Sequence, residues 1–502
     1  MGDEAAGPGV VGCGGECGFL RRQVMRSGEG ILAIAGILLV GALAKGVEYD
    51  LVILGPDAVC VAVSDGKQAG CVETSDANGE PLQRAVIWRG LSHERVDLHP
   101  QGFLSSRIWD ASGGQQVGMG DNHALLWLST PQSVVDLNPV GCEYSCAYGV
   151  WNRKQVGFGM SESAGERALL WTGTAESVVD LHPAGFAASR AGGVWNGFQV
   201  GYGIPLGGGE MDWRALLWFG TAESVVNLHP PGCRWSYACD AWGIWQVGAG
   251  APLGGEGMRA LLWSGTTESV VDLHPQGYRW SYAVRCWGDR QVGVGDDHAL
   301  LWSGSSQSVV DLHRFVPAEY VWSGAFGIDS TGRIAGYVAN DSGRYAAVWV
   351  PRCTPVYRCR WLGRAGHLYT ILGGEVESLL TDPNGAWVFD GIFCHVPPDS
   401  LDPNAMPVYR FKARDNPARF YTIDRTERDA FFKDRRDTWT YEGIGFYAYR
   451  PTRRPASSVA VHRFRSISEI CYLYTRDERE CTRLSEPNSG WTYEGVAWYV
   501  WE

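Results

Sequence analysis

The sequence predicts an all-β protein: a seven-bladed β-propeller followed by a smaller pseudo-threefold, mainly β, trefoil-like domain. Three observations predict it. Seven short apolar runs end in tryptophan, at Trp88, Trp127, Trp171, Trp218, Trp263, Trp302 and Trp349, with gaps of 39, 44, 47, 45, 39 and 47 residues. Each interval holds four strand-like pieces divided by Gly-rich turns, the pattern of a propeller blade. Beyond residue 353 a different motif, about fifty residues long, occurs three times.

In chain order, residues 1–44 read as an N-terminal extension and a signal peptide. The segment 31–44, ILAIAGILLVGALA, is apolar, follows Arg21, Arg22 and Arg26, and ends in the small-residue pattern Ala42, Leu43, Ala44. Its fourteen residues fall short of the roughly 20 that span a bilayer. Secretion or display at a bacterial cell surface, with cleavage before Lys45 and no stable membrane span afterwards, is therefore expected. The stretch upstream of Met25 is Gly-rich and lacks an amphipathic or charged pattern, which makes Met25 a candidate start.

Residues 45–352 are read as the propeller. A blade consists of a small-residue run such as SYAVRCW, then QVGVG, then HALLW, then SVVDL. The ALLW pieces are apolar at consecutive positions, as strands covered on both faces are. From each Trp to the next VVDL-type Asp or Asn the spacing is nine residues, at Asp97, Asp136, Asp180, Asn227, Asp272 and Asp311. From the QVG-type glycine to the following Trp it varies, at 18, 9, 14, 17, 15, 9 and 13 residues from Gly70, Gly118, Gly157, Gly201, Gly248, Gly293 and Gly336. Length variation is thus concentrated in one loop. Only six VVDL strands follow the seven tryptophans, and Leu51-Val52-Ile53-Leu54 can supply the missing outermost strand of the last blade, closing the ring. SYAVRCW-type strands would then line the axis.

Twelve of the fourteen cysteines follow the predicted cleavage point, and an even number in an exported chain favours disulfides. Cys60 and Cys71 are equidistant from the hairpin dipeptide Asp65-Gly66, so they are expected to pair. Cys142 with Cys146, Cys233 with Cys239, Cys353 with Cys359 and Cys471 with Cys481 are further local candidates, leaving Cys286 and Cys394 without neighbours. No CxxC pair occurs, which argues against zinc.

The ALLW strand, the Gly-containing turn before it and the VVDL after it resemble a bacterial extracellular repeat family with an H-A-F-x-W core, over residues 51–350. That resemblance implies export and a propeller, and carries no catalytic residues. Residues 353–502 repeat PVYR, LYT or FYT, a Trp, and an EG-containing aromatic strand. The anchors are Tyr357, Tyr409 and His462; Tyr369, Tyr421 and Tyr474; and Trp387, Trp439 and Trp491. PVYRFKARDNPARFYT with WTYEGIGFYAY, and HRFR with YLYT and WTYEGVAWYVW, resemble a bacterial domain family of unknown function that often ends exported proteins, implying an accessory role. A short helix is expected near Arg425 to Phe432. The first copy has WVFDGIFCHV, so a site built on Glu442 or Glu494 is expected to be absent there.

The DLHP-type boxes place His99, His182, His229, His274 and His313 two residues after an Asp or Asn, on one strand face. Recurrence in nearly every blade favours a structural role over metal or catalysis. GDNH at 120–123 and GDDH at 295–298 read as tight turns, and SDANGE at 75–80 lacks the full spacing of a calcium loop. Residues that break the repeat are more informative. Eight positions before the QVG glycine stand Ala62, Asp110, Gly149, Gly193, Asp240, Arg285 and Ile328, so Asp110, Asp240 and Arg285 are channel candidates, as a ligand site or as a buried ion pair. The rim collects Phe103, Tyr144, Phe186, Arg234, Trp235, Arg279, Trp280 and Trp322, with Trp213 in a long variable loop. Trp213, Arg234, Trp235, Arg279, Trp280 and Trp322 are the candidate ligand-binding residues, because flat rings with polar neighbours stack on sugars or anchor a protein partner. The alternative is that these rings plug gaps between blades.

Formal charge is −12, and residues 353–502 hold 20 basic and 20 acidic side chains, so the excess lies in the earlier part. An acidic repeat array without a basic stripe excludes nucleic acid as the expected partner. Familiar hydrolase signatures are absent. The expectation is a monomeric, exported, non-enzymatic protein that binds carbohydrate or another cell-surface ligand, without cofactor or metal. The alternatives are a propeller lyase or glycosidase using Asp110, Asp240 and Arg285, and a structural surface scaffold.

Overall fold

The structure, a computed structural model, describes residues 48–501 other than 65, 77, 92, 363–365, 383–384 and 398–403. The signal segment, Met25 and Asp65 lie outside the described residues. Seven four-stranded antiparallel sheets form the propeller. The first blade comprises Ala58–Ser64, Lys67–Ser75, Pro81–Arg89 and Arg95–Asp97. The last comprises Trp322–Ile328, Ile334–Asn340, Gly343–Pro351 and, outermost, Tyr49–Pro56. The strand containing Leu51–Leu54 therefore closes the ring as the spacing requires. First strands of neighbouring blades pack on one another around the axis.

The tryptophan series is the buried frame: all seven anchors are 0–1% exposed. Their fixed spacing to the fourth strand comes from a serine turn. Ser133 Oγ accepts the Leu128 N–H, and Ser177, Ser224, Ser269 and Ser308 repeat the arrangement at 2.7–2.8 Å. The Gln of QVG holds the same turn from the neighbouring strand. Gln155 Oε1 accepts Gly173 N–H at 2.8 Å, and Gln199, Gln246 and Gln291 do likewise for Gly220, Gly265 and Gly304.

A β-bulge lies at the same place in every first strand, between Cys60 and Ala62, Ile108 and Asp110, Ala147 and Gly149, Ala191 and Gly193, Ala238 and Asp240, Ala283 and Arg285, and Ala325 and Gly327. Beside each bulge a first-strand carbonyl crowds the QVG-type glycine. A Cβ on Gly118 would stand 1.8 Å from Arg107 O, and one on Gly293 2.0 Å from Tyr282 O. Only glycine fits there.

The bulge overturns the expected Cys60–Cys71 bridge. It shifts the register by one, so Cys60 faces Gly70 and Cys71 faces Val59. A one-residue shift sends the two side chains to opposite faces of the sheet. Cys60 packs with Leu54 and Val72 in one blade junction, while Val59, opposite Cys71, packs in the other. The remaining expected pairs also fail, and the described cysteines are thiols. Cys233 and Cys239 are six residues apart on one extended strand, about 20 Å at strand rise, beyond the ~7 Å Cα limit of a disulfide. Cys353 and Cys359 are separated in the same way along Thr354–Trp361. Cys142 and Cys233 instead seat their sulfurs against Gly159 and Gly250, where Phe103, Phe186 and Tyr278 cover Gly120, Gly203 and Gly295 in other blades. Cys146 packs with Trp109, Tyr148 and Phe158. Cys471 and Cys481 belong to separate apolar clusters.

The second module repeats one unit three times: a long strand, a short strand, a helix and a long strand. The helices are α1 (Gly373–Thr381), α2 (Arg425–Asp434) and α3 (Glu478–Ser485). Its threefold centre is a ring of tyrosines from the three YT motifs. Tyr369 Oη donates to Tyr474 O at 2.6 Å, Tyr474 Oη to Tyr421 O at 2.7 Å, and Tyr421 Oη to Tyr369 O at 2.7 Å. Each hydroxyl also accepts a tyrosine amide: Tyr421 Oη that of Tyr369, Tyr474 Oη that of Tyr421 and Tyr369 Oη that of Tyr474, at 2.8–3.0 Å. The rings meet edge to face at 5.5–5.6 Å. Burial raises all three phenols above their ordinary range, so they remain neutral donors.

Candidate functional site

The five DLHP-type histidines are inter-blade latches. Ser106, at the start of the second blade, accepts the Ala85 N–H of the first blade at 3.0 Å and contacts His99 Nδ1 at 2.8 Å, while His99 Nε2 reaches Phe103 O at 3.0 Å. Only one proton arrangement satisfies this chain: serine donates to Nδ1, and Nε2–H donates to the carbonyl. His182, His229, His274 and His313 meet Ser189, Ser236, Ser281 and Ser323 in the same way. At the junction of the second and third blades, Asn138 stands in place of histidine: its Oδ1 accepts from Ser145 and its amide donates to Cys142 O, reproducing the polarity. Nδ1 faces the serine hydroxyl as the acceptor in each latch. Consistently, burial lowers the pKa of His182, His229 and His313, that of His229 to about 4 with the Arg214 charge adding.

The GDNH and GDDH segments are turns. Asp121 and Asp296 adopt φ of 48° and 45°, and their carboxylates accept the backbone N–H groups of Leu104 and Ser105, and of Arg279 and Trp280. His123 and His298 bond Asp136 and Asp311 at 2.6 and 2.8 Å. Asp76 likewise folds its loop by accepting Asn78 and Glu80 N–H.

Asp110, Asp240 and Arg285 do converge. Arg285, from the sixth blade, bonds Asp110 of the second at 2.7 Å and Asp240 of the fifth at 3.3 Å. It thereby ties blades across the axis. Its side chain is 10% exposed. The other carboxylate oxygens accept the N–H of the next blade's bulge: Asp110 Oδ2 from Val150 at 2.9 Å and Asp240 Oδ2 from Cys286 at 2.8 Å. Burial raises both carboxyls, Asp240 to about 7, against the pull of Arg285. The seventh member of this ring is Gly327, not Ile328. Gly327 pairs with Ala335 as Asp110 pairs with Val117, because the last hairpin carries one more residue between its strands. Elsewhere the position is small because blades touch there: a Cβ on Gly149 would meet Gly193 Cα at 2.2 Å.

On the rim, the structure brings Trp213 and Trp235 together, with ring centroids 5.5 Å apart. Tyr202 and Tyr237 complete the group, and Trp235 stacks on Tyr237 at 5.9 Å. Trp213 and Trp235 are half-buried. Trp280 is also half-buried and stacks instead on Tyr282. These rings thus fill blade junctions while keeping part of their surface open. Trp322 is 39% exposed, Arg234 is exposed, and Arg279 is 77% exposed at the side chain, touching Asp296.

Sequence reasoning missed the charged girdle of the second module. The Arg of each YR motif bonds the acid before the EG-type glycine in its own repeat and a glutamate on another repeat's helix. Arg358 meets Asp390 and Glu480; Arg410 meets Glu442 and Glu375; Arg463 meets Glu494 and Glu427, all at 2.8–3.1 Å. Asp390 fills the acidic place in the first copy, so the girdle is complete there, contrary to expectation. Gly391, Gly443 and Gly495 follow with φ of 98°, 109° and 109°, the left-handed bulge that aims the acid. The near-constant spacing from Arg358, Arg410 and Arg463 to Gly391, Gly443 and Gly495, at 33, 33 and 32 residues, was the available signal.

Residues 355–501 match the family described as "Domain of unknown function (DUF5648)". Among solved structures the chain is similar to the β-propeller domain of the trilobed protease from Pyrococcus furiosus, at 13% identity and TM-score 0.42, covering 63% of this chain and 97% of that one. It is also similar to a puromycin hydrolase, at 12% identity and TM-score 0.40, covering 73% of this chain and 58% of that one. A Mycobacterium tuberculosis puromycin-hydrolyzing peptidase gives 13% identity and TM-score 0.41, covering 60% and 53%. No curated protein matches.

Proposed function

We propose that the chain is an exported, non-enzymatic binding protein that recognises carbohydrate on a cell surface. The observation that carries this reading is the half-exposed aromatic group of Tyr202, Trp213, Trp235 and Tyr237, beside a long variable loop. It is not demanded by the repeat, and partly open rings suit stacking on sugar faces. The recurring polar side chains, by contrast, are occupied in holding blades together. A lyase or glycosidase would have to recruit Asp110 and Asp240, whose oxygens are engaged by Arg285 and by backbone amides. Export rests on the apolar segment 31–44.

A glycan array and a cell-wall pull-down with the full chain test the proposal. Binding reduced at least tenfold by Trp213→Ala, with an unchanged circular dichroism spectrum, is expected for a rim site. Absence of binding to any glycan or wall fraction would overturn the proposal.

A further inference from the structure

The girdle of the second module opens, between its second and third repeats, into a cleft of about 660 Å³. That is within the roughly 300–1,000 Å³ of small-molecule sites. Asp424, Thr426 and Glu427 from the start of α2 form one wall, and Arg450, Arg463 and Glu494 contribute the others. We propose that this cleft binds an uncharged saccharide unit, which deepens the carbohydrate reading above and rests on it.

The chemistry of the walls selects the ligand. Three carboxylates and two guanidiniums line the cleft and Arg465 pairs with Glu494 beside them, so the walls carry no positive excess to hold phosphate, sulfate or uronate groups. The charged groups are already ordered. Arg463 holds Glu427 through two nitrogens at 2.9 Å each and Glu494 at 3.0 Å. Arg465 bonds Glu494 from its other oxygen at 3.1 Å. The Glu427 and Glu494 oxygens each retain a further lone pair, and neutral hydroxyls can donate to these without breaking the ion pairs. Arg450 donates to Ile423 O at 3.3 Å, a fraction of the five N–H groups of a guanidinium, and Thr426 adds a hydroxyl. Val496, 40% exposed beside Glu494, supplies an apolar surface for the C–H face of a sugar. Ordered polar groups beside a small apolar patch lower the cost of fixing a polyhydroxylated ligand. The equivalent wall on α1 has Leu372 in place of Asp424, so the first and second repeats do not reproduce the donor set.

The test is isothermal titration of the full chain with maltotriose, cellotriose and triacetylchitotriose as neutral probes and trigalacturonate as the anionic one. Ala430, exposed on α2, lines the cleft, so Ala430→Trp fills it without disturbing a buried contact. Arg450→Ala removes a wall donor. The expectation is binding of at least one neutral probe and weaker or no binding of trigalacturonate. Ala430→Trp and Arg450→Ala should each weaken the neutral probe at least tenfold, while Trp213→Ala leaves it unchanged. A neutral probe bound equally by wild type and Ala430→Trp would overturn the cleft alone, leaving carbohydrate recognition to the rim. Preference for trigalacturonate would overturn the charge argument, and failure to bind any glycan, here and on the array, would overturn both readings.

Discussion

Ser236 and His229 lock the fourth and fifth blades together: the serine accepts the Ala215 N–H at 3.1 Å and donates to His229 Nδ1, 2.8 Å away. Ser236 is 0% exposed, so removing its oxygen strands a buried amide. Ser236→Ala should therefore cost about 1–3 kcal/mol. His229→Asn should cost less, because Asn138 already does the same work at another junction. Urea unfolding of both variants checks the order, and a milder effect of Ser236→Ala than of His229→Asn would contradict it.

The same latch predicts an acid dependence. His229 titrates at about 4 in the folded chain against an ordinary value of 6.5. Between these values the unfolded chain binds the extra proton, so the histidine's contribution is complete above pH 6.5 and is lost as pH falls through about 4. Melting temperatures of wild type and His229→Asn should converge as pH is lowered from 7 to 4. A gap that stays constant would show that the histidine is not kept neutral.

Asp240 has the opposite sign. Its folded value of about 7 lies above the ordinary 3.8, so its contribution is complete below pH 3.8 and is lost as pH rises through about 7. Asp240→Asn should gain stability relative to wild type from pH 5 to pH 8, by on the order of 1–3 kcal/mol. Parallel melting curves across that range would refute the assignment.

Tyr421 closes the hydrogen-bonded ring of the second module through both Tyr369 O and Tyr369 N–H. Tyr421→Phe removes both bonds at a fully buried position and should cost about 2–4 kcal/mol. Tyr421 Oη is inaccessible to a ligand, so saccharide titration at a temperature where the variant is folded should be unchanged. Loss of binding without loss of stability would give the ring a different role.

Much of the architecture was legible because it is carried by period. Tryptophans recurring every 39–47 residues marked seven buried third strands, and Leu51–Leu54 supplied a fourth strand to a blade that lacked one. The histidine boxes were recognisable as structural from their recurrence, although their serine partners were not, since those lie on the next blade. The cysteine pairing was misread because symmetry about Asp65-Gly66 assumes a regular ladder, and a bulge between Cys60 and Ala62 is invisible to counting. The same limit put Ile328 where Gly327 stands. The girdle of the second module escaped notice because each arginine meets a glutamate from a different repeat, more than thirty residues away.

The sequence by itself determined the fold class, the number of blades, the closing strand and the three copies of the second module, because apolar spacing and turn chemistry act locally and repeat. Tertiary structure alone decided which charges meet and which remain available. Asp110, Asp240 and Arg285 lie in three different blades, and only closure of the ring brings their side chains within bonding distance and buries them. Asp424, Arg450 and Glu494 line one cleft only because the second and third repeats pack side by side. Electrostatic and hydrogen-bond energies fall steeply with distance and depend on burial, and neither distance nor burial is encoded in spacing along the chain.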